Sequence, residues 1–243
     1  MQATYSKYDF YKSISNFNEI LNSSDSNYVT HKGIPNKNDL TFTNGYYVDV
    51  TVLFIDIRGS KELATKHTRP VLAKIYRAYI SEVISVIRGN TCISEINVEG
   101  DGIWAVFNTT SSNNVNTVFV TACKLASLID ILNVKLFKKG YSEINIGIGI
   151  DNGESLYIKA GYKGSGINEV VWLGKVVGQT ALLCSNANKN GNSRIMVSER
   201  VFNCLSEHNK LLLHKNIVHK CYHSKAFISD MNNWVKANGK QTI

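Results

Sequence analysis

Two apolar stretches of the chain are each interrupted by an aspartate. Residues 49–60 have the sequence DVTVLFIDIRGS, an almost unbroken run of strand-forming residues in which Asp56 precedes a Gly-Ser turn. Residues 97–107 have the sequence NVEGDGIWAVF, and the glycines on both sides of Asp101 are typical of a hairpin tip. Because an ionised carboxylate in a buried strand is costly unless something pairs with it, both aspartates are candidate metal ligands.

The periodicity around these stretches predicts the fold. Apolar residues recur at helical spacing over residues 72–87, after Thr68 and Pro70, and again over residues 115–129. Residues 143–151 alternate strictly, and glycines on one side would let another backbone approach this strand closely. The order strand, helix, strand, strand, helix, strand predicts an α+β fold with a ferredoxin-like βαββαβ core.

Further elements are predicted on both sides of this core. Before it, the pattern predicts a helix over residues 8–21 and a loop over residues 22–44. The histidine-rich segment 215–225 is assigned neither helix nor strand. The other predictions are a strand pair over residues 155–162 and 169–173 around a turn at 164–166, a helix over 174–188, a short strand over 194–198, a helix over 199–205 and a last helix near 229–237.

Composition narrows the class of protein. A chain of 243 residues with 44% hydrophobic and 19% charged residues fits one globular domain with appendages. The net charge of +8 indicates an anionic partner, either a small phosphate compound or nucleic acid. A solvated basic surface is the alternative, because the lysines form no stripe. The five cysteines form no CxxC pair and are expected to be reduced thiols. No apolar run approaches the roughly 18 residues that span a bilayer, so we expect a soluble, cytoplasmic protein.

The two aspartates predict a specific chemistry if the first strand and the hairpin are neighbours. Two carboxylates with few other protein ligands suit two divalent ions, Mg²⁺ or Mn²⁺, that bind mainly through substrate phosphates. Such a pair of ions activates an attacking hydroxyl and stabilises the departing phosphate oxygens in an in-line displacement. The turn at residues 57–60 would offer backbone N–H groups to a triphosphate.

Three ordered motifs resemble those of the class III nucleotidyl cyclase catalytic domain. They lie at residues 50–60, at residues 99–107 and at residues 146–153, within a resemblance that spans about residues 47–201. The resemblance implies a nucleotide cyclase that makes a 3′,5′-cyclic monophosphate and pyrophosphate at sites on the interface of a homodimer. Together with the polar composition of the first 45 residues, it predicts an N-terminal accessory arm (1–45), the cyclase catalytic domain (46–206) and a C-terminal extension (207–243).

The resemblance also implies which residues act. Two metal ions would bind Asp56 and Asp101, with help from the carbonyl of Ile57. Where adenylate cyclases carry a purine-reading lysine this chain has Asn97, and Val171 replaces their base-reading aspartate. The transition-state asparagine and arginine are replaced by Gly178 and Leu182.

These replacements favour a pyrimidine substrate, because an amide can both donate to and accept from a pyrimidine edge. With the single-domain layout and the Trp-containing C-terminal helix, the chain resembles the pyrimidine cyclases of bacterial Pycsar anti-phage systems. In those systems a companion effector reads cyclic UMP or cyclic CMP. The residues do not decide between CTP and UTP, although CTP is slightly favoured because the carbonyl of Asn97 can accept from its exocyclic amine.

The other candidate contacts each have two interpretations. Phe54 lies on the Asp56 side of its strand and either touches the base or packs in the core. Arg58 either pairs with phosphate or is a surface arginine. The remaining predicted substrate contacts are Gly59, Ser60 and Asn97, and the cations that could replace the missing arginine are Arg58, Lys175, Arg194 and Lys220.

The sequence therefore predicts a cytoplasmic homodimeric enzyme that uses CTP or UTP, with no membrane and no nucleic acid as partner. Two alternatives stay open. One is an adenylate cyclase, and the other is a non-catalytic nucleotide- or RNA-binding module on the same fold. The presence of both aspartates favours the enzyme, because a non-catalytic domain would gain nothing from costly charges in a buried strand.

Overall fold

The computed structural model describes residues 5–162 and 168–239, which form one nine-stranded sheet with helices around it. The strands are β1 (Tyr28–Thr30), β2 (Gly45–Arg58), β3 (Ile93–Glu99), β4 (Gly102–Asn108), β5 (Asn145–Gly161), β6 (Asn168–Leu173), β7 (Ile195–Val197), β8 (His214–Asn216) and β9 (Cys221–Ser224). The α-helices are α1 (Phe10–Leu21), α2 (Ser60–Lys66), α3 (Arg69–Arg88), α4 (Ser112–Lys138), α5 (Lys175–Asn186), α6 (Glu199–Cys204), α7 (Glu207–Lys210) and α8 (Ser229–Asn238).

The central strand of the sheet is β2. It pairs antiparallel with β4 through residues 50–55 and antiparallel with β5 along its whole length. The main path of the sheet runs β3-β4-β2-β5-β7-β9-β8, while β1 pairs with β2 and β6 pairs with β5. The first four of these strands, with α3 and α4 as crossovers, form the predicted ferredoxin-like βαββαβ core, so the fold prediction is confirmed.

The two faces of β2 meet different surroundings because its side chains alternate. On one face Leu53 is fully buried in the main core, which includes apolar residues of α3 and α4. On the other face Val52 is buried in a second cluster with Trp172 of β6. Asp56 follows on this second face, so the apolar register of β2 also decides where its carboxylate points.

The glycine side of β5 is covered closely by α5. A Cβ on Gly149 would clash with the backbone of α5 at Thr180 and Cys184. This contact explains why glycine alternates with isoleucine along the strand, since only a residue without a side chain leaves room for the helix backbone. The predicted close approach is confirmed, and it brings the C-terminal end of α5 next to the end of β2.

At the edges of the domain two sequence predictions were wrong, and one pair of strands was not predicted. The predicted loop over residues 22–44 contains β1, which pairs in parallel with the first residues of β2. The predicted separate strand over residues 155–162 is the continuation of β5, whose pairing with β2 is unbroken. The histidine-rich tail forms β8 and β9, which join the main sheet. Neighbouring strands stabilise these short strands, so the short strands can form without an alternating pattern in their own sequence. The predicted turn at residues 164–166 lies outside the described residues.

By length and composition α4 could cross a membrane, but 56% of its most apolar window is buried inside the protein. Residues such as Phe119, Ala122 and Leu125 belong to the main core. Burial against the sheet and α3 therefore accounts for the apolar character of this helix.

Candidate active site

The end of β2 lies beside the tip of the β3–β4 hairpin. The pairing of β2 with β4 stops where Ile55 faces Ile103, one residue before Asp56. At the tip a Cβ on Gly102 would lie 3.6 Å from Oδ1 of Asp56. The carboxylate of Asp56 thus reaches the hairpin tip that carries Asp101, and the fold makes the two aspartates neighbours.

Nearby positive charges only partly compensate the negative charges of Asp56 and Asp101. Burial, and next the charge of Asp101, raise the pKa of Asp56 above its usual value. The opposing effects of Arg58 and Lys189 are smaller. The side chain of Asp56 is 40% exposed, so a ligand can reach it from solvent. Two adjacent acids that repel each other in an accessible position favour a bound cation.

Tyrosines of α3 border the same acids. Burial, and then the two aspartates, raise the pKa of Tyr76. The hydroxyl of Tyr79 is, within residues 5–162 and 168–239, the one buried side-chain polar atom that has no hydrogen-bond partner. Its pKa lies well above the usual value because of burial and then the charge of Asp56. Tyr79 is fully buried in the main core, so its hydroxyl is influenced by the charge of the acids without being open to solvent.

The donor set fits divalent metal ions of the magnesium type. Asp56 and Asp101 supply hard carboxylate oxygens, and Ile57 lies beyond the β4 ladder, where β2 pairs with β5 alone. In the described part of the chain no three His, Cys, Asp or Glu side chains gather into a metal site. The pair therefore suits ions that take their remaining ligands from water and phosphate.

Arg58 is held inside the protein. Its Nη1 donates to Oδ2 of Asp56 at 3.3 Å, its Nε donates to the carbonyl of Ala187 at 3.0 Å, and its Nη2 donates to the carbonyl of Cys184. The side chain is only 12% exposed, so the surface interpretation was wrong. A Cβ on Gly147 would collide with the guanidinium, which explains the glycine opposite Asp56. Arg58 ties Asp56 to the end of α5, and contact with phosphate stays a prediction.

Phe54 lies in a row of side chains across three strands. It pairs with Trp104 of β4, which pairs in turn with Asn97 of β3. The rings of Phe54 and Trp104 are stacked, with centroids 5.5 Å apart and planes 6° apart. The row is two residues from Asp56, or about 7 Å along the strand. The fold therefore brings Phe54 and Asn97 onto the face of the sheet that carries Asp56.

Glu95, which sequence reasoning missed, holds Asn97 and is itself held by Trp172. Nδ2 of Asn97 donates to Oε1 of Glu95 at 3.0 Å, and Nε1 of Trp172 donates to Oε2 of the same carboxylate at 3.0 Å. Glu95 and Asn97 line a cavity of about 660 Å³ with Tyr157 and residues of the N-terminal arm. Alternation along β3 would have placed Glu95 on the face of Asn97, but no sequence pattern connects it to Trp172.

Gly59 and Ser60 form the junction between β2 and α2. Gly59 has a φ of 70°, in the left-handed region that glycine tolerates, and α2 begins at Ser60. The junction directly follows Arg58, so both residues lie close to Asp56 in the chain. Their contact with a triphosphate stays a prediction.

Lys189 is a cation that sequence reasoning missed. It is close enough to lower the pKa of Asp56 by its charge, and it lines a cavity of about 500 Å³ at the start of β5. Arg194, one of the predicted candidates, donates instead to both oxygens of Asp130 at 2.8 and 3.0 Å. Lys189 lies in a polar loop without periodicity, so no sequence pattern singles it out.

The residues at the family's transition-state positions lie on the outer side of α5. Leu182 is 55% exposed, and a Cβ on Gly178 would meet no atom within 4 Å. Val171 is paired with Ile158, while its neighbour Val170 lines the cavity of Asn97. In a single chain these positions contribute no polar group to the site.

Residues 43–223 match the family model described as adenylate and guanylate cyclase catalytic domain. The chain belongs to this family. Curated members that resemble it include a uridylate cyclase of Treponema porcinum, 34% identical over 94% of this chain and 81% of the relative. A uridylate cyclase of Gulbenkiania mobilis is 37% identical over 83% and 81%. A cytidylate cyclase of Staphylococcus aureus is 28% identical over 75% of this chain and 42% of the relative.

Solved structures of other cyclase-family members share the fold. The adenylyl cyclase CyaB of P. aeruginosa superposes with a TM-score of 0.65 at 16% identity, over 77% of this chain and 98% of that one. A class III adenylyl cyclase-like ATP-binding protein of Pseudomonas aeruginosa gives a TM-score of 0.70 at 14% identity, over 92% and 48%. At these identities the likeness establishes the architecture alone.

Proposed function

We propose that the protein is a pyrimidine nucleotide cyclase that converts UTP into 3′,5′-cyclic UMP and pyrophosphate. The observation that carries the proposal is the placement of Asp56 beside Asp101 on the sheet face that also presents Asn97. The acids suit the metal-dependent phosphate chemistry of the family, and the amide suits a pyrimidine edge. Membership in the cyclase family and two relatives named uridylate cyclase support it.

The reaction forms a bond between the ribose 3′ oxygen and the α-phosphorus, and it breaks the bond from that phosphorus to the oxygen bridging to the β-phosphate. The 3′ hydroxyl loses its proton, and pyrophosphate leaves. Asp56, Asp101 and the carbonyl of Ile57 would hold two Mg²⁺ or Mn²⁺ ions. When bound, these ions lower the pKa of the attacking hydroxyl and neutralise charge on the leaving oxygens.

The other residues position the reacting groups. Arg58 fixes the carboxylate of Asp56 through a charge-assisted hydrogen bond. Lys189 adds positive charge near Asp56, where the triphosphate would lie, and so offsets the missing arginine. The stacked pair of Phe54 and Trp104 provides an apolar surface next to Asn97.

The choice of UTP over CTP departs from the preference that the sequence alone suggested. Asn97 can serve either base, so its identity does not choose between them. The two relatives above 30% identity are named uridylate cyclases, whereas the cytidylate cyclase is 28% identical. These names favour UTP.

The proposed assembly is a homodimer in the cytoplasm with active sites at its interface. The exposed face of α1 supports a protein partner, because Phe10, Ile14 and Phe17 are all about half exposed or more. We further propose that the cyclic nucleotide acts in anti-phage defence and is the only link to a companion effector. A dimer predicts that specific activity falls on dilution in parallel with dissociation measured by sedimentation, and a fully active monomer would contradict this.

The deciding experiment incubates the purified protein with Mn²⁺ and each of the four labelled nucleoside triphosphates. We expect cyclic UMP and pyrophosphate from UTP, and no product from the variants Asp56→Ala and Asp101→Ala. Asp49→Ala, an exposed position on the same strand, is the matched control and should keep full activity. Activity that survives both site changes would refute the proposal. A preference for ATP would indicate an adenylate cyclase, and binding without turnover would indicate a non-catalytic module.

A further inference from the structure

The amide of Asn97 is held in one orientation. A carboxylate can only accept hydrogen bonds, so the atom of Asn97 that faces Oε1 of Glu95 at 3.0 Å must be the nitrogen. The hydrogen bond to Glu95 therefore decides which way the amide of Asn97 points. An amide nitrogen carries two N–H groups, so Asn97 keeps a second N–H and its carbonyl oxygen for another partner.

Glu95 is itself fixed at its other oxygen. Nε1 of Trp172 donates to Oε2 at 3.0 Å, and Trp172 is only 7% exposed. Its ring packs against Tyr157 with centroids 4.5 Å apart. In the part of the chain that the structure describes, no lysine or arginine forms a salt bridge with Glu95. The carboxylate is thus an anchored acceptor for Asn97.

The orientation of an amide matters to a pyrimidine in a particular way. Uracil presents a donor at N3 and an acceptor at O4, whereas cytosine presents an acceptor at N3 and a donor at N4. An amide that pairs with one of these edges through two hydrogen bonds must turn over by 180° to pair with the other. A group that prevents this rotation of the amide would make the same asparagine selective for one of the two bases.

We propose that Glu95 determines the choice between uracil and cytosine by fixing the orientation of the Asn97 amide. The inference rests on the proposed function and assigns its base selectivity. Glu95 is a positioning residue, since it acts through Asn97 and need not touch the nucleotide. The cavity of about 660 Å³ that both residues line is large enough for a small ligand.

The test compares kcat/KM for UTP and CTP in wild-type protein and in Glu95→Gln. A glutamine can accept or donate, so the amide of Asn97 becomes free to turn. We expect the UTP-to-CTP ratio, which a well-formed pair of hydrogen bonds sets at about 10- to 100-fold, to fall to within a few-fold of one. Glu99→Gln is the matched control, because Glu99 accepts from Trp104 and not from Asn97.

A second variant tests the same inference in case Glu95→Gln does not fold. Trp172→Phe keeps the ring against Tyr157 but removes the N–H that anchors Glu95, and it should reduce the ratio by a smaller factor. Thermal unfolding checks that each variant is folded. An unchanged ratio in either folded variant, or an equal fall in Glu99→Gln, would overturn the inference.

Binding measurements separate this inference from the proposed function. The probes are 3′-deoxy-UTP and 3′-deoxy-CTP, which cannot cyclise because they lack the attacking hydroxyl, and calorimetry gives their Kd values. If the wild type prefers one analogue and Glu95→Gln erases the preference, the inference stands even when no triphosphate is cyclised. If UTP is cyclised but the Kd ratio is the same in both proteins, the proposed function stands and the inference fails.

Discussion

Arg58 donates to Asp56 from two positions further along the same strand, with Nη1 and Oδ2 3.3 Å apart. The same guanidinium also donates to two carbonyls at the end of α5, so it connects the strand that carries the acid to the helix behind it. Asp56 consequently has a fixed countercharge on one side and Asp101 on the other. This arrangement leads to four predictions.

The first prediction concerns Arg58. In Arg58→Met the carbonyl of Ala187 loses this donor, the carbonyl of Cys184 keeps only the backbone N–H of Ala187, and Asp56 loses its countercharge. We expect the free energy of unfolding to fall by about 2–3 kcal/mol, because Arg58 is mostly buried while Asp56 is partly solvated. Urea unfolding of the metal-free protein measures this. Arg77→Met, at an exposed position of α3, is the control and should change stability by less than about 0.5 kcal/mol. Equal stability of the two variants would contradict the role given to Arg58.

A second prediction concerns metal binding. Asp56→Asn removes a carboxylate of the pair while keeping its shape. We expect Mn²⁺ to raise the melting temperature of the wild type but not of this variant, because only a ligand that binds the folded state stabilises it. Cyclase activity should fall by more than about 100-fold, since even residues that only support metal ligands typically cost 10- to 100-fold. A variant that Mn²⁺ still stabilises to the wild-type extent would show that the metal binds elsewhere.

The third prediction follows from the raised pKa of Asp56. A group whose pKa is higher in the folded than in the unfolded state stabilises the fold most at low pH, and this contribution is lost as the pH rises through the folded-state pKa. In metal-free protein the melting temperature of Asp56→Asn relative to wild type should therefore increase as the pH rises from about 4 towards neutral. Differential scanning calorimetry measures the difference. A relative melting temperature that decreases over this range would show that the pKa is depressed instead.

A fourth prediction tests Lys189 as the cation of the triphosphate site. In Lys189→Met we expect KM for UTP to rise by about tenfold, which corresponds to about 1.4 kcal/mol, while the melting temperature stays within a degree or two. The acid limb of the activity profile should move to higher pH, because Lys189 lowers the pKa of Asp56.

The matched control for this cation is Lys225→Met. Lys225 lines the same cavity but does not act on Asp56. Steady-state kinetics at several salt concentrations measure both variants. If the two variants raise KM equally, the effect belongs to the general basic surface and not to Lys189.

The sequence by itself determined the core architecture and the two acids. Apolar alternation and helical periodicity are local, so they sufficed to predict α3 and the β3–β4 hairpin almost to their ends, whereas β2 begins four residues before the predicted stretch and α4 continues nine residues beyond it. The strand pattern also showed that Asp56 and Phe54 share a face. Glycines at the hairpin tip and along β5 predicted where backbones come close, because a missing side chain is visible in the sequence itself.

Only the tertiary structure decided how these acids and Asn97 are held. Arg58 meets α5 across more than a hundred residues, and Trp172 meets Glu95 across 77 positions of the chain. The charge of Lys189 likewise acts on Asp56 from a loop with no pattern of its own. Such interactions depend on which strands are neighbours and on which groups a helix end brings within reach of a donor, and no periodicity in the chain encodes either.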